Sequence, residues 1–355
     1  MYALVAKRPT QPTQPATAPI ISVSNIISME YDESMVAVDK LKLELITGSD
    51  SDDEMLAAAS ATKAALYHLK STGQKIRVRL ALHAGACLGL TTDDAVSLGT
   101  AVELLHNASL IHDDLQDRDL VRRNQEAVWV KFGDEIAICA GDLLLSAAYC
   151  AMARLSHRCL PVLPDALALM HARISTAVRG QCVDFSSTAR GPISLGDYQK
   201  IVIAKSGALL SLPIELALLV SGENQWSAAA REAAEAFAVG YQIFDDLCDV
   251  EKDLNRQSRP LLNQSKLKAM SHWHDAEKIP CQATNIVLIL EAQEQKKSHQ
   301  TRERASTLAR NIGLEKLCLA ASASTHLPKN SGQLLQALAM EMHARLACHN
   351  SNPAQ

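Results

Sequence analysis

Asp113, Asp114 and Asp117 stand together in Leu110-Ile111-His112-Asp113-Asp114-Leu115-Gln116-Asp117, at the end of a run of Ala, Leu, Val and Ile that otherwise admits little charge. On a helix, Asp113 and Asp117 are four residues apart and share a face, with Asp114 turned to its edge. Three carboxylates so placed repel one another unless a cation lies between them. The same spacing returns in Tyr241-Gln242-Ile243-Phe244-Asp245-Asp246-Leu247-Cys248-Asp249, again after an Ala-rich helical stretch. One such triplet is as readily a solvated helix end as a metal site. Two, each embedded in an apolar helix, suggest acidic helix ends that face each other across a site for hard divalent cations. All-oxygen ligation favours Mg²⁺ over zinc, and Mg²⁺ shares its coordination sphere with water and substrate phosphates.

Cations recur where phosphates would need them. Gly73-Gln74-Lys75-Ile76-Arg77-Val78-Arg79 opens a helix with three cations just after a glycine, against the helix dipole, a cost that a bound anion would offset. Arg122 and Arg123 follow the first triplet, where planar guanidinium forks reach phosphate oxygens. Glu103 and His106 form an ExxH, half of a di-iron pattern in helix bundles, but the chain holds no second copy. His106 is otherwise a core histidine or a polar contact, and Gln181 either satisfies a backbone kink at Gly180 or offers a polar group to a ligand.

The elements that position these groups read as helix after helix. Helical periodicity begins near Tyr31 and stops at Gly48; Ser49 to Glu54 supply a cap and first-turn acids for a second helix ending near Gly73; Thr91-Thr92-Asp93-Asp94 caps the helix that leads into the first triplet. Phe132-Gly133-Asp134 begins a long apolar helix, and Pro161 and Pro164 mark a turn. Nothing after Tyr31 shows sustained strand alternation, so an all-α domain over residues 29–355 is expected, with residues 1–28, rich in Pro, Thr and Gln, as a disordered tail.

Composition excludes several classes. A net charge of -4 over 355 residues offers no basic face for nucleic acid. The longest apolar runs, Ile136 to Met152 and Leu209 to Val220, contain Asp142, Pro213 and Glu215, so no membrane-spanning segment is expected. The nine cysteines form no CxxC pair and no zinc spacing, which suits reduced thiols in a cytoplasmic protein. Organellar targeting by the tail stays open, with only Lys7 and Arg8 basic there.

With its paired aspartate motifs and twin arginines, the chain resembles the trans-isoprenyl diphosphate synthases of the polyprenyl synthetase family, in particular the geranylgeranyl and farnesyl diphosphate synthases. That resemblance implies an isoprenoid synthase-type helix bundle with a central cavity between the two aspartate-rich helices. It implies Mg²⁺, three ions per site, held by Asp113, Asp114, Asp117, Asp245, Asp246 and Asp249. The substrates implied are isopentenyl diphosphate and an allylic diphosphate, joined head to tail by a homodimer. Arg122 would then hold the allylic substrate and Arg123 isopentenyl diphosphate. Arg77 falls in the arginine slot of a Gly-Gly-Lys-x-x-Arg segment, with Gln74 in the lysine slot and Lys75 beside it, and His106 becomes a further contact to isopentenyl diphosphate. Lys205 and Ser206 match a Lys-Ser/Thr pair on the allylic diphosphate, Gln181 a polar group near the ionising carbon, and Gln242 the glutamine before the second motif.

In the family, the helix containing Gly141-Asp142-Leu143-Leu144 lines the chain pocket, its small residues leaving room for substrate, and residues before the first motif set product length. Here Leu104, Leu105, Ala108 and Ser109 occupy that wall, and the small Ala108 and Ser109 suggest a C20 product within a C15 to C25 range. The family lysine after the second motif is absent; Arg256 and Arg259 are candidates to replace it, and Leu261 to Pro280 read as a loop or lid. These departures keep open a class I terpene cyclase or an irregular coupling enzyme on the same fold. A non-catalytic subunit of a heteromeric synthase is a third reading, which the two complete triplets oppose.

Overall fold

The computed structural model describes residues 32–48, 60–71, 73–190, 193–258, 284–293 and 299–348. The expected tail, the capping acids at 49–54, and the stretch read as a lid all lie outside them. The described chain is a helix bundle of α1 (Asp32–Thr47), α2 (Ser60–Lys70), α3 (Ile76–Leu88), α4 (Thr92–Asp117), α5 (Val128–Phe132), α6 (Asp134–Met152), α7 (Leu163–Arg190), α8 (Leu195–Val202), α9 (Ala208–Val220), α10 (Ser227–Ser258), α11 (Ile286–Gln293), α12 (His299–Ser324) and α13 (Gln333–Cys348). Its all-α class is as expected. One element is not: β1 (Val121–Arg122) and β2 (Gln125–Glu126) pair antiparallel in a small hairpin after α4.

The helix at the centre is α9, in which every residue from Ala208 to Leu219 is buried. A helix that is apolar on all sides belongs inside a bundle, and α9 packs against α3, α4, α7 and α10. It continues from α8 through a π-helical turn, Ile203–Gly207, so that Leu195–Val220 is one rod, whose apolar 18-residue stretch has mean hydropathy 1.7 and is 78% buried. By length and composition this rod and Asp134–Met152 are both apolar enough to cross a membrane, which corrects the expectation that Asp142, Pro213 and Glu215 interrupt them. Pro213 is carried inside the helix. Glu215 is buried and matched: Arg173 donates two hydrogen bonds to it at 2.8 and 2.6 Å and the Ser227 hydroxyl a third at 2.7 Å. The burial of Leu195–Val220 makes it a core helix.

Around α9, α4 packs on α3 and α6, and α12 lies against α10 and α13. Gly240 faces Leu317, and Gly313 faces Ile243 and Leu346, so α10 and α12 run antiparallel at a distance that small residues permit. A second, smaller apolar cluster of Tyr198, Val202, Val239, Ile243, Ile286 and Ala309 ties α8, α10, α11 and α12 together near the second aspartate motif. The α4 start is as read from sequence, Thr91 Oγ1 accepting the Asp94 N–H at 3.2 Å.

Candidate active site

The first aspartate triplet ends α4: Asp117 is its last residue and Arg118, in the left-handed region at φ 55°, closes it. Carboxylates at a helix C-terminus oppose the macrodipole. Their surroundings add to the strain. Burial raises the Asp113 carboxyl above its ordinary value, against the pull of Lys205 and Arg122. Asp117 is pushed up to about 6, by burial first and then by the charges of Asp113, Asp119 and Asp184, with Lys205 opposing. Asp114 is used differently. It is buried, and Arg122 binds its Oδ1 through Nε at 2.7 Å and through Nη2, while Oδ2 is closed off without a partner.

The second triplet differs from the sequence reading in one respect: α10 runs on to Ser258, so Asp245, Asp246 and Asp249 lie within a helix and not at its end. Asp246 is buried and its carboxylate fully engaged. Gln242 Nε2 donates to Oδ1 at 2.8 Å; the Tyr198 hydroxyl at 2.8 Å and the Ile286 N–H at 2.9 Å donate to Oδ2. Asn285 Nδ2 donates to the Asp246 carbonyl at 2.8 Å. Asp246 therefore fastens α8 and the start of α11 to α10.

Beside the first motif stands Lys205, in the π-helical turn, a distortion that commonly marks a functional site. Burial works against its charge, and Asp113, Asp184 and Asp117 restore it and raise its pKa above the ordinary value. Lys205 Nζ donates to Asp184 Oδ2 at 3.2 Å, and the Thr284 hydroxyl donates to Asp184 Oδ1 at 2.6 Å. Asp184 acts on Asp117 and on Tyr198, the partner of Asp246, so it links the two acidic groups. Gly180 makes the arrangement fit: a Cβ there would stand 2.7 Å from both the Ala204 Cβ and the Lys205 nitrogen. Gln181 Nε2 donates to Gln116 Oε1 at 3.3 Å, and its own Oε1 is buried without a partner. Ser206 follows Lys205 in the same turn.

A second group of cations lies beside α2, α3 and α4. The twin arginines come from the hairpin, whose turn residues Arg123 and Asn124 have φ of 50° and 63°, the left-handed pair of a tight type I′ connection. Arg123 Nη1 donates to the Ser71 carbonyl at 3.0 Å, and its guanidinium lies where a Cβ on Gly73 would be, 2.5 Å from Nη2. Arg77 is half-buried with Nε shut off from solvent and unpartnered; burial pulls it down to about 10, with Glu103 and Tyr241 opposing. His106 is held neutral, well below its ordinary value, by burial and then by Arg77, Arg123, His68 and Arg122. Lys75 is directed elsewhere: Asp39 on α1 takes its ammonium at 2.9 and 3.1 Å.

Among the chain-length positions, Leu104, Leu105 and Ala108 are buried in the main core, and Ser109 Oγ donates to the His106 carbonyl at 2.8 Å. The room expected at Gly141 is taken by the His112 ring, which a Cβ there would strike. The Arg256 side chain and the whole of Arg259 lie outside the described residues. Sequence reasoning assigned no role to His68, Asp184, Tyr198 and Thr284, which lie on α2, on α7, on α8 and just before α11 and share no spacing. Only the Gln181-Cys182-Val183-Asp184 string carried a signal for one of them.

The polyprenyl synthetase family model matches residues 59–307, a stretch that holds both acidic triplets and both cation groups. The chain belongs to that family. It is 30% identical over 234 residues to the short chain isoprenyl diphosphate synthase of Methanothermobacter thermautotrophicus, covering 66% of this chain and 70% of that one. To the geranylgeranyl diphosphate synthase of Methanosarcina mazei it is 28% identical over 220 residues, covering 61% of this chain and 68% of the relative. Among solved structures, geranylgeranyl pyrophosphate synthetase from Geoglobus acetivorans superposes with TM-score 0.67 at 22% identity, covering 89% of this chain and all of that one. Decaprenyl diphosphate synthase from Rhodobacter capsulatus superposes with TM-score 0.65 at 20% identity, covering 91% of this chain and 98% of the other. At such identities these two likenesses speak for the fold alone.

Proposed function

We propose that the protein is a trans-prenyltransferase that joins isopentenyl diphosphate to an allylic diphosphate and releases diphosphate. The observation that carries the reading is the division of the cations into two groups. Lys205 and Arg122 stand with Asp113 and Asp117, where a diphosphate that leaves its carbon would sit. Arg77, Arg123 and His106 form a second cluster beside α2 and α3, and Arg122 lies near enough to both to act on each. A cyclase that uses one allylic diphosphate has no use for the second cluster. Family membership and the relatives' names agree with this assignment.

Asp113, Asp117, Asp245 and Asp249 are the residues that would hold Mg²⁺, with Asp114 and Asp246 as supports for Arg122 and for the helix packing. The donor set fits a hard ion: it is all carboxylate oxygen, and Asp113 and Asp117 carry charges whose mutual repulsion an ion would relieve. Among the described residues no three acidic, imidazole or thiol groups stand together as a metal site, so an ion here would take much of its shell from water and substrate. Bound Mg²⁺ supplies Lewis-acid stabilisation of the departing diphosphate. The chain's own work is electrostatic. Lys205 and Arg122 neutralise the leaving group from a preorganised position, and the apolar walls of α4 and α9 keep water from the allylic cation. Gln181, with one free buried oxygen, faces the developing positive charge.

Product length is set by the α4 wall, where the small side chains of Ala108 and Ser109 give room for a C20 product, and Ala108→Phe shortens it. The face of α6 that carries Ile138, 48% exposed, and Tyr149, 37% exposed, is the surface on which a second copy would pack to form the homodimer. All eight cysteines of the described residues are free thiols, in keeping with a cytoplasmic protein. Incubation of the purified chain with each allylic diphosphate, with and without isopentenyl diphosphate, tests the assignment. A longer prenyl diphosphate formed only when both are present is expected. A hydrocarbon or alcohol released from the allylic diphosphate alone would overturn it in favour of the cyclase.

A further inference from the structure

The hairpin that carries Arg122 and Arg123 has little to hold itself with. Its strands, Val121–Arg122 and Gln125–Glu126, are two residues each, and an isolated hairpin is at best marginal in water. Its turn places Arg123 in the left-handed region at φ 50°, which glycine accepts freely and arginine only at a cost. What fixes it must come from its neighbours. At its base the Ala127 N–H donates to the Leu120 carbonyl at 3.0 Å, and the Trp129 indole on α5 donates to the Asp119 carbonyl at 2.8 Å.

Further out, the two guanidiniums are tied to different helices. Arg122 reaches α4, where the Asp114 carboxylate takes its Nε at 2.7 Å and its Nη2. Arg123 reaches the end of α2, where its Nη1 donates to the Ser71 carbonyl at 3.0 Å and its guanidinium lodges against Gly73. Four residues before Ser71, the same helix takes hold of the hairpin again: the Tyr67 hydroxyl donates to the Glu126 carbonyl at 3.0 Å. The two grips are about one helical turn apart, one on β2 and one on the turn residue. The phenol is itself aimed by α5. Lys131 Nζ stands 3.9 Å from the centre of the Tyr67 ring, and the Phe132 ring meets it edge to face at 5.5 Å between centres.

Resting on the reading of Arg123 as a contact to the second diphosphate, we propose that Tyr67 is a positioning residue for isopentenyl diphosphate: its hydroxyl fastens β2 to α2 and thereby fixes the Arg123 guanidinium. Arg122, tied separately to Asp114, does not depend on it. The gain is preorganisation. A long side chain on a short, unsupported turn would be ordered only by the arriving substrate, and the entropy lost then would be subtracted from affinity.

Tyr67→Phe keeps the ring and its contacts with Lys131 and Phe132 and removes a single hydrogen bond, so steady-state kinetics of the full chain can test the proposal without rebuilding the core. The KM for isopentenyl diphosphate should rise about three- to tenfold, with kcat and the KM for the allylic substrate within about twofold of native. A double-mutant cycle separates positioning from general support. Arg123→Ala should raise the KM for isopentenyl diphosphate by itself, and adding Tyr67→Phe should raise it no further, because no guanidinium is left to position. Additive losses would overturn the proposal, as would an unchanged KM in Tyr67→Phe or equal rises for both substrates, the mark of a loosened fold. If Arg123→Ala itself leaves the KM for isopentenyl diphosphate unchanged, the underlying assignment of Arg123 falls, and the role of Tyr67 falls with it.

Discussion

The two acidic motifs are spelled alike and are employed in opposite ways. Around the first, polar groups are left wanting: Asp117 is raised to about 6, Asp114 Oδ2 and Arg77 Nε have no partner, and His68 and His106 are held neutral. Around the second, Asp246 receives hydrogen bonds from Tyr198, Gln242 and Ile286 and joins three helices. One sequence pattern thus serves a region poised for a ligand and a region in which Asp246 holds the fold together beside the proposed metal ligands Asp245 and Asp249. Substitutions in the first should remove function and spare stability; substitutions in the second should remove both.

The largest effect is expected from Asp117→Asn or Asp113→Asn. Turnover should fall by on the order of a hundredfold to a thousandfold or more, as for loss of a principal electrostatic group, while the metal-free protein should gain roughly 1 kcal/mol because a repelled, partly buried charge is gone. Urea denaturation beside a turnover assay gives both numbers, and a loss of stability equal to that of a second-motif variant would erase the contrast. Asp246→Ala should lose stability as well as turnover. It strands the Tyr198 hydroxyl, the Gln242 amide and the Ile286 N–H, and should cost about 3 kcal/mol. A melting temperature unchanged from the native protein would mean that those three donors find other partners.

Acid should expose the same contrast. The folded His68 titrates near 4 and the unfolded one near 6.5, so the unfolded chain binds more protons between those values. The neutral ring's stability is fully present above 6.5 and is lost as pH falls toward 4. Between pH 7 and pH 5 the ligand-free protein should lose about 2 kcal/mol through this group, a loss that His68→Gln should lack. Denaturation midpoints at the two pH values measure it. The smallest change is expected at the seam between the regions. Gly180→Ala drives a methyl against Ala204 and Lys205, which should cost about 1 to 2 kcal/mol and weaken the allylic substrate by moving Lys205. An unchanged KM for that substrate would separate the packing of α7 from the placement of the lysine.

Much of the first region was legible in the chain, because its signals are local. The Thr91 cap, the Asp113 to Asp117 spacing and the twin arginines all sit within one helix and the turn that follows. The hairpin was not, since strands of two residues show no alternation and Arg123-Asn124 lacks the glycine that advertises a left-handed turn. In the second region the spacing was legible and its use was not. Whether Asp246 meets a ligand or Tyr198 depends on where α8 and α11 fold back, and neither helix carries that information in its own periodicity. The apolar runs misled for a similar reason: Glu215 looks like an interruption until Arg173 and Ser227 are brought to it by other helices.

The π-helical turn at Ile203–Gly207 also acts as a phase shifter. One surplus residue in a helical rod rotates everything beyond it by about 100°. The polar head of the rod and its buried apolar shaft can therefore each meet their own neighbours, Lys205 among the acids and Leu209 to Leu219 in the core, with no break in the backbone between them. A rod wound as uninterrupted α-helix would have to misalign one end to satisfy the other. The chemistry at its top and the packing at its bottom are thereby free to vary independently.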